Sequence, residues 1–502
     1  MAEAYLGQKG SEALQNHGLP ATSLSRASSR PASGRSAYNL FGCVRDSVLL
    51  DFFAFGDFVV IAASSFLATW VYFGLHLNTR MDPIPYVAVG CMVAAIAYAI
   101  LRRTGTYDAS RMHFQFVQVR RILLALAGGF TTVLVLGYAF KITGQFSRGW
   151  AVSWFGLAFV LLVLFHAAAA SVLRSLVRQG RFGLHVAVIA ERGYGEDVMS
   201  AIDRDPHTHL NARISFDPNA DGDGVLDEAA LERFVDNLQH YNVDRVIIAV
   251  PPNRRSIVHF LDEKLRCVSA EVAMYDEILS RNATGVSVTQ TSGMHLFTVQ
   301  KKPLGPWSNL LKAGFDRCAA AALIVVFAIP MALIALAIKR ESPGPVLFVQ
   351  RRHGFNHHVI RVLKFRTMFT IEDGADVVQA TRDDARVTRV GRFLRRTSLD
   401  ELPQLFNVLS GEMSLVGPRP HALAHNEQYA KMLERYANRH RVRPGITGLA
   451  QINACRGGTQ DSELMRRRVE YDLYYIDNWS FWLDLKILLL TPFCGLINPN
   501  AY

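Results

Sequence analysis

The sequence predicts a membrane protein with three parts: a four-helix transmembrane bundle, a Rossmann-like α/β domain, and a mixed α/β domain with a re-entrant membrane helix and interfacial amphipathic helices. Half of the 502 residues are hydrophobic and only 19% are charged, and the apolar residues lie in long runs. Short β-branched runs then alternate with polar helical stretches. A last long apolar run contains a proline and precedes a segment rich in polar motifs. A chain of this length is expected to form several folded units.

The N-terminal segment, residues 1–45, is polar and rich in Ser, Ala and Gly. Its scattered Lys and Arg residues are not followed by the apolar core of a signal peptide. We therefore expect a disordered cytoplasmic tail.

Four apolar runs follow, and each has about the 20 residues that a helix needs to cross a bilayer. They extend from Leu49 to Leu75, Pro83 to Leu101, Ile122 to Phe140 and Ala151 to Leu173. These runs predict a transmembrane domain over residues 46–176. Arginines are concentrated between the second and third runs and after the fourth, so both ends of the chain are expected in the cytoplasm. Burial of the four runs in a large soluble core is the less favoured alternative.

The net charge of +11 would raise nucleic acid as a partner in a soluble protein. Basic residues beside membrane spans explain the charge equally well, so no nucleic-acid partner is expected. The six cysteines are scattered without a CxxC pair, which favours neither a disulfide framework nor a zinc site.

The segment 182–300 has the alternating pattern of a parallel α/β domain. Strands are predicted at 185–190, 212–216 and 245–250. Gly193 and Gly195 begin a dinucleotide fingerprint, but Val198 occupies the third glycine position. Two interpretations stay open: a degenerate fold that acts as a spacer or as the surface of a possible homodimer, and a domain that binds some nucleotide.

The apolar stretch from Ala319 to Ile338 has basic residues at both ends and Pro330 near its middle. Proline removes a backbone hydrogen bond and kinks or breaks a helix. The pattern favours a re-entrant helix that enters one leaflet and returns to the cytoplasmic side. A straight fifth span is the alternative, and it would place the rest of the chain outside the cell.

Residues 305–502 carry the motifs that predict chemistry. Pro343 and Pro345 prevent helix formation after the membrane segment and predict an extended turn, followed by a short strand at 346–350. Six arginines then lie between positions 382 and 396, next to the sequence TSLDELPQL at 397–405. That sequence predicts a helix start, with Ser398 or Asp400 near the cap and Pro403 in the first turn.

Asp400 and Glu401 are therefore expected at a helix N-terminus beside a guanidinium cluster, an arrangement that binds phosphate. One carboxylate could act as a nucleophile on phosphorus, and its neighbour could hold a divalent metal. Simple helix capping is the alternative explanation of the two acids.

Two more loops have the composition of phosphate- or nucleotide-binding loops: VGPRP at 416–420, which presents Arg419, and RVRPGITGLAQ at 441–451. Aromatic residues then precede an apolar run from Leu483 to Leu490. This run fits a helix at the membrane surface or a peripheral core helix.

The motifs SPGP (342–345) with Gln350, KFRTM (364–368), SLDELPQ (398–404), GPRP (417–420) and RPGITG (443–448) closely resemble those of the bacterial polyprenyl-phosphate hexose-1-phosphate transferases. The resemblance is strong from about residue 310 to the C-terminus. The layout of the preceding domains also resembles the large members of that family.

This resemblance implies a reaction in which Asp400 attacks the β-phosphate of a UDP-sugar, releases UMP, and passes the phosphosugar to polyprenyl phosphate. It implies Mg²⁺ as cofactor, with Asp400 and Glu401 as catalytic and metal-binding residues. It also implies a bacterial inner-membrane location with the catalytic domain on the cytoplasmic side, and Pro330 at the break of the re-entrant helix. The implied substrate-binding residues are Lys364, Arg366, Gln404, Arg396, Arg419 and Arg443.

Two other functions agree less well with the sequence. A membrane-bound nucleotide-sugar dehydratase or epimerase would need an intact glycine fingerprint and a Tyr-x-x-x-Lys motif, and the sequence offers neither. A polysaccharide export or chain-length scaffold would leave the acidic pair and the arginine cluster unexplained. The sequence does not identify the sugar, and glucose and galactose are both open.

Overall fold

The computed structural model describes residues 46–77, 82–107, 116–179, 182–205, 207–216, 228–240, 243–251, 253–276, 288–292, 294–369, 384–421, 436–453 and 462–497. The predicted tail at 1–45 lies outside these residues. The chain divides after Gly183, and the two compact units on either side of that point are described separately below.

The first unit is a helical bundle. Its helices are α1 (Asp46–Thr69), continued by a π-helical segment (Trp70–His76), α2 (Ile84–Arg103), α3 (Phe116–Ala139) and α4 (Arg148–Arg178). Each of the four predicted apolar runs lies largely within one of these helices. Tyr86, Trp150 and Trp154 pack edge-on or stacked in the bundle core, with ring centroids 4.6 and 4.9 Å apart. With the later helix Pro306–Glu341, five described helices are long and apolar enough to cross a membrane.

The second unit begins with an α/β sheet. Its strands and helices are β1 (Leu184–Glu191), α5 (Glu196–Arg204), β2 (Thr208–Phe216), α6 (Glu228–His240), β3 (Arg245–Ala249), α7 (Arg255–Leu265), β4 (Glu271–Tyr275), β5 (Val288–Thr291) and β6 (Met294–Gln300). The order is β2-β1-β3-β4-β6-β5. Strands β2, β1, β3 and β4 are parallel to one another, and β6 is antiparallel to both of its neighbours, β4 and β5.

This order refines the Rossmann-like prediction. A parallel α/β domain is present, but β1 lies between β2 and β3, as in flavodoxin-like sheets, whereas a Rossmann half places β2 between β1 and β3. Val198, at the missing glycine position, is fully buried in the apolar cluster beneath the sheet. Helix α5 therefore packs through a valine side chain instead of the close approach that glycine allows.

Helix α8 (Pro306–Glu341) is continuous, with Pro330 inside it. Near its start, Lys312 and Asp316 are buried and contact the rest of the second unit. Near its end, Met331 and Ile338 pack against Phe365 and other apolar residues. Between these ends, Val325, Val326 and Ile329 are highly exposed, as expected of side chains that face lipid.

The remaining elements surround the base of α8. They are β7 (Leu347–His353), β8 (Val359–Phe365), α9 (Arg389–Thr397), α10 (Gln404–Ser410), β9 (Ser414–Val416), β10 (Gly445–Thr447), α11 (Leu449–Ile452), α12 (Ser462–Asp477) and α13 (Phe481–Ile497), with 3-10 turns at Phe355–His357, Leu399–Glu401 and Tyr436–Arg441. The strands β7 and β8 form an antiparallel hairpin, and β9 and β10 form a short parallel pair. Apolar residues of α8, α10 and α13 share one core with β8 and β9.

Candidate active site

The acidic pair lies in a break between two helices. Helix α9 ends at Thr397, and Ser398 adopts the left-handed conformation with φ of 59°. A 3-10 turn at Leu399–Glu401 follows, and α10 begins at Gln404 with Pro403 at its N-cap. The predicted helix start is confirmed in part: Ser398 is the N-cap of the 3-10 turn, but the α-helix itself begins only at Gln404. Neither N-cap side chain makes a capping hydrogen bond.

Glu401 is buried and bound by two cations. Lys364 Nζ donates to Glu401 Oε1 at 2.9 Å, and Arg419 Nη1 donates to Oε2 at 3.0 Å. Arg419 Nη2 also donates to Oε1. Burial alone would raise the pKa of Glu401, but Arg419 and Lys364 hold it well below its usual range. Glu401 is therefore ionised and forms ion pairs with two cations that come from separate parts of the chain.

The Asp400 carboxylate differs from its neighbour. Within the described residues, the electrostatic surroundings of Asp400 include Lys364, Glu401, Arg419 and Arg395 but no hydrogen bond. Burial raises the pKa of Asp400 above its usual value, and Glu401 adds to that rise while the three cations oppose it. A partly desolvated carboxylate with unoccupied oxygens is suited to nucleophilic attack.

Two cations of this site were not singled out from the sequence. Arg352 on β7 interacts electrostatically with Arg419, Glu401 and Asp400, and burial lowers its pKa to about 10. Arg395 at the end of α9 donates Nε to Thr367 Oγ1 at 2.9 Å, and its charge interacts with Asp400. Of the adjacent residues Arg395 and Arg396, Arg395 is therefore the one whose charge acts on Asp400, whereas Arg396 was the one predicted to bind substrate.

The charges of the site do not cancel. Lys364, Arg352, Arg395 and Arg419 are four cations, while Asp400 and Glu401 are two carboxylates, which leaves two positive charges. A cluster with this excess favours the binding of phosphate groups.

Arg366 has a different environment from the one predicted. It is buried, and its guanidinium donates to Ser342 O and Ser342 Oγ at 2.8 Å and to Pro343 O at 2.8 Å. Gly344 has φ of 121°, and a Cβ there would overlap the Arg366 guanidinium. Arg366 therefore stabilises the turn that contains Pro343 and Pro345, and its role in substrate binding stays a prediction.

The other predicted binding residues are dispersed. Gln404 is buried at the start of α10, Arg396 is exposed on α9, and Arg443 is partly buried two residues before β10. Among the hydrogen bonds and ion pairs of the described residues, none joins these three side chains to the acidic pair, and their binding roles stay predictions. Of the six predicted substrate-binding residues, Lys364 and Arg419 are the two that contact Glu401.

The predicted magnesium ligands fit only in part. Magnesium prefers carboxylate and phosphate oxygens and keeps several waters. Both Glu401 oxygens already accept hydrogen bonds from cations, so Glu401 does not fit a metal ligand. Asp400 fits, because its oxygens are available. Among the described residues, no group of three or more His, Cys, Asp or Glu side chains could hold a metal ion.

Comparison with known proteins gives two family matches and several relatives. A model described as a bacterial sugar transferase matches residues 307–497, and one described as a CoA-binding domain matches residues 102–274. The UDP-glucose:undecaprenyl-phosphate glucose-1-phosphate transferase of Escherichia coli K12 is 34% identical over 446 residues, which cover 86% of this chain and 94% of the relative. A protein of the same name from Caulobacter vibrioides is 56% identical over 194 residues, or 39% of this chain and 73% of the relative.

A shorter relative is also similar. The exopolysaccharide production protein PSS of Rhizobium leguminosarum bv. phaseoli is 46% identical over 197 residues, which cover 38% of this chain and 98% of the relative. The full-length similarity, the matched segment 307–497 and the acidic pair with its cations lead to one conclusion. The chain belongs to the bacterial sugar transferase family, among the polyprenyl-phosphate hexose-1-phosphate transferases, and it is a membrane-associated transferase.

Proposed function

We propose that this protein transfers a sugar 1-phosphate from a UDP-sugar to undecaprenyl phosphate, releases UMP, and forms a covalent phosphosugar intermediate on Asp400. The product would begin the repeat of an exopolysaccharide, a capsule or an O-antigen. The observation that carries the proposal is the Asp400 carboxylate, which accepts no hydrogen bond from the described residues and lies in a site with excess positive charge.

The first step would be a displacement at the β-phosphorus of the UDP-sugar. An oxygen of Asp400 forms a bond to that phosphorus, and the bond from phosphorus to the oxygen bridging the two phosphates breaks. UMP leaves with the bonding electron pair. The cations Lys364, Arg352 and Arg419 would stabilise the charge that develops on the phosphate oxygens.

The second step would reverse the roles. An oxygen of undecaprenyl phosphate attacks the phosphorus of the intermediate, the bond to Asp400 breaks, and the carboxylate is restored. The product is an undecaprenyl diphosphate sugar. When bound, magnesium would supply charge neutralisation at the diphosphate, and Asp400 is the residue that would hold it.

Contacts at both ends of α8 support the re-entrant topology. Asp316 accepts a hydrogen bond from Ser414 Oγ at 2.7 Å, and Glu341 accepts one from the backbone nitrogen of Arg389 at 2.7 Å. A straight helix between Asp316 and Glu341 would rise about 37 Å, more than the roughly 30 Å of a bilayer core. A straight span would then separate two contacts that belong to one compact unit. We therefore propose that both ends of α8 lie on the cytoplasmic side of the inner membrane, where nucleotide-sugars are made.

The sugar is proposed to be glucose. Two relatives, at 34% identity over most of the chain and 56% over 194 residues, carry glucose-1-phosphate transferase in their names. Galactose is the alternative that the sequence left open.

The decisive experiment is Asp400→Asn, measured in purified membranes with UDP-glucose and undecaprenyl phosphate. We expect UMP release and the radiolabelled phosphosugar-protein adduct to be lost, because an amide is a poor nucleophile. Asp477→Asn, at an exposed carboxylate on α12, is the matched control and should retain both. Near wild-type turnover by Asp400→Asn would overturn the covalent mechanism and favour direct attack by the lipid phosphate. UDP-galactose in parallel tests the choice of sugar.

A further inference from the structure

Three cations from three separate elements hold the backbone of the segment 416–420. Lys312 of α8 donates to Val416 O at 3.1 Å, Arg439 donates to Arg419 O at 2.9 Å, and Arg352 of β7 donates to Pro420 O at 2.5 Å. This segment carries Arg419, whose side chain binds Glu401. Charged donors therefore fix the carbonyls of Arg419, of Pro420 after it, and of Val416 three residues before it.

The backbone of the segment also contacts β10 closely. Gly417 N donates to Thr447 O at 2.8 Å, and Gly445 N donates to Pro418 O at 3.0 Å. A Cβ at Gly445 would overlap the backbone nitrogen of Gly417. The segment consequently has little room to shift, and the placement of the Arg419 side chain depends on its backbone.

Arg439 is the most constrained of the three cations. Its Nε and Nη2 atoms both lie 2.8 Å from Asp472 Oδ2, and both side chains are only 3% exposed. Its Nη1 donates to His421 Nδ1 at 2.9 Å, and its guanidinium lies 5.0 Å from the centre of the Tyr436 ring. Because a guanidinium is planar and its donors point in fixed directions, these contacts orient the bond from Nη2 to Arg419 O.

We propose that Arg439 and Asp472 are positioning residues for Arg419, acting through the Arg419 carbonyl without contacting substrate. This inference rests on the proposed function, in which Arg419 receives a phosphate of the nucleotide-sugar. Asp472 balances the charge of Arg439 and fixes its plane, so the pair contributes orientation and not additional positive charge at the site.

A purely structural role for the pair gives a different kinetic result. Partial unfolding reduces the fraction of active enzyme, which lowers the apparent kcat and leaves KM unchanged. Misplacement of Arg419 weakens the binding of the nucleotide-sugar, so KM for UDP-glucose rises. The ratio of the two effects therefore distinguishes positioning from stability.

The first variant is Arg439→Lys, which keeps a positive charge beside Asp472 but cannot reach Asp472, His421 and Arg419 O together. We expect a KM for UDP-glucose about tenfold higher, the size associated with one lost hydrogen bond from a charged donor, and a kcat that changes much less. Arg466→Met is the matched control on α12, because the ion pairs that Arg466 makes with described residues are exposed, and its KM should equal that of wild type.

The second variant replaces both partners, Arg439→Met with Asp472→Leu. Replacing a buried ion pair by apolar side chains often preserves stability, whereas removing one partner does not. We expect a KM that stays about tenfold higher, because no donor reaches the Arg419 carbonyl. The thermal midpoint should fall less than for Arg439→Met alone, although buried Arg468 also loses the charge of Asp472.

An unchanged KM in Arg439→Lys, or a return of KM to the wild-type value in a folded double variant, would overturn the inference. If the double variant does not fold, Arg439→Lys decides alone.

Failure of the proposed function is a separate outcome, since it would appear as turnover by Asp400→Asn. The dissociation constant for UDP-glucose in an Asp400→Asn background, with and without Arg439→Lys, gives the same comparison without turnover.

Discussion

Arg419 donates hydrogen bonds from both terminal nitrogens of its guanidinium, one to each carboxylate oxygen of Glu401. Lys364 donates to the same carboxylate at 2.9 Å. Glu401 therefore stabilises two cations beside Asp400, and these cations use three of its four acceptor positions. This arrangement separates the roles of two adjacent acids that the sequence leaves equivalent.

The first prediction concerns Glu401→Gln. Glutamine is neutral and would leave Lys364 and Arg419 without their ionised partner. We expect kcat/KM for UDP-glucose to fall about 100-fold, because misplaced cations stabilise the transition-state charge less, a loss of roughly 3 kcal/mol. The remaining adduct should still map to Asp400 by peptide mass.

The magnesium dependence of this variant is the sharper measurement. Because Glu401 does not fit a metal ligand, the Mg²⁺ concentration for half-maximal activity should match that of wild type. A higher Mg²⁺ requirement would show that Glu401 binds the metal after all. Glu463→Gln, which removes exposed ion pairs with Arg466 and Arg467 on α12, controls for the amide substitution and should be nearly silent.

The second prediction concerns the acidic limb of the pH profile. Asp400 must be ionised to attack phosphorus, and burial raises its pKa while Lys364 lowers it. Activity is therefore lost as the pH falls through the pKa of Asp400, at a higher pH than for an ordinary aspartate. Lys364→Met removes the opposing charge, so the limb should move to still higher pH.

The measurement is kcat/KM for UMP release across the acidic range. Lys264→Met, at an exposed ion pair on α7, is the control and should leave the limb in place. A limb that does not move in Lys364→Met would mean that another group titrates, or that Lys364 does not act on Asp400.

Features determined by local sequence could be predicted, while those determined by tertiary contacts could not. The apolar runs and Pro330 were recognisable because length and proline content act within one segment. The left-handed Ser398 was missed, because serine rarely adopts that conformation and nothing in the local sequence requires it.

The same distinction applies inside the site. Asp400, Glu401, Lys364 and Arg419 were identified by motif, but the pairing of both cations with Glu401 depends on how β8 and the 416–420 segment pack. Arg352 was missed because its role depends on the hairpin that pairs β7 with β8. Arg366 was placed in the binding set by its motif, whereas its contacts are with the turn at 342–343.

The third prediction is that a protein starting near residue 305 retains transferase activity in detergent or nanodiscs. The described hydrogen bonds between the α/β sheet domain and the rest of its unit include Arg441 to Lys301 O at 2.9 Å and Ser269 to Asn356 at 3.4 Å, and neither involves the acidic pair or its cations. The similarity to the protein PSS covers 197 residues and 98% of that relative, so the relative is about as long as the truncated protein.

We expect the truncated protein to have a lower thermal midpoint but a KM for UDP-glucose close to that of the full chain. Asp400→Asn in the truncated background gives the inactive baseline. Complete loss of activity by a folded truncated protein would show that the α/β sheet domain takes part in catalysis.

The last prediction is that the two ends of α8 lie on the same side of the membrane. Lys312 and Asp316 near its start bind the β9 segment, and Glu341 at its end binds the first turn of α9. A helix that crossed the bilayer completely would place these two sets of contacts on opposite faces, although β9 and α9 belong to one compact unit. A reporter cysteine at exposed Ala385, in a background without native cysteines, should therefore resist an impermeant maleimide added to intact cells and react after permeabilisation. Gly144→Cys, in the connection between α3 and α4 that is predicted to lie outside, should react in intact cells and shows that the reagent has access. Labelling of Ala385→Cys in intact cells would establish α8 as a fifth span and would exclude an active site on the cytoplasmic side.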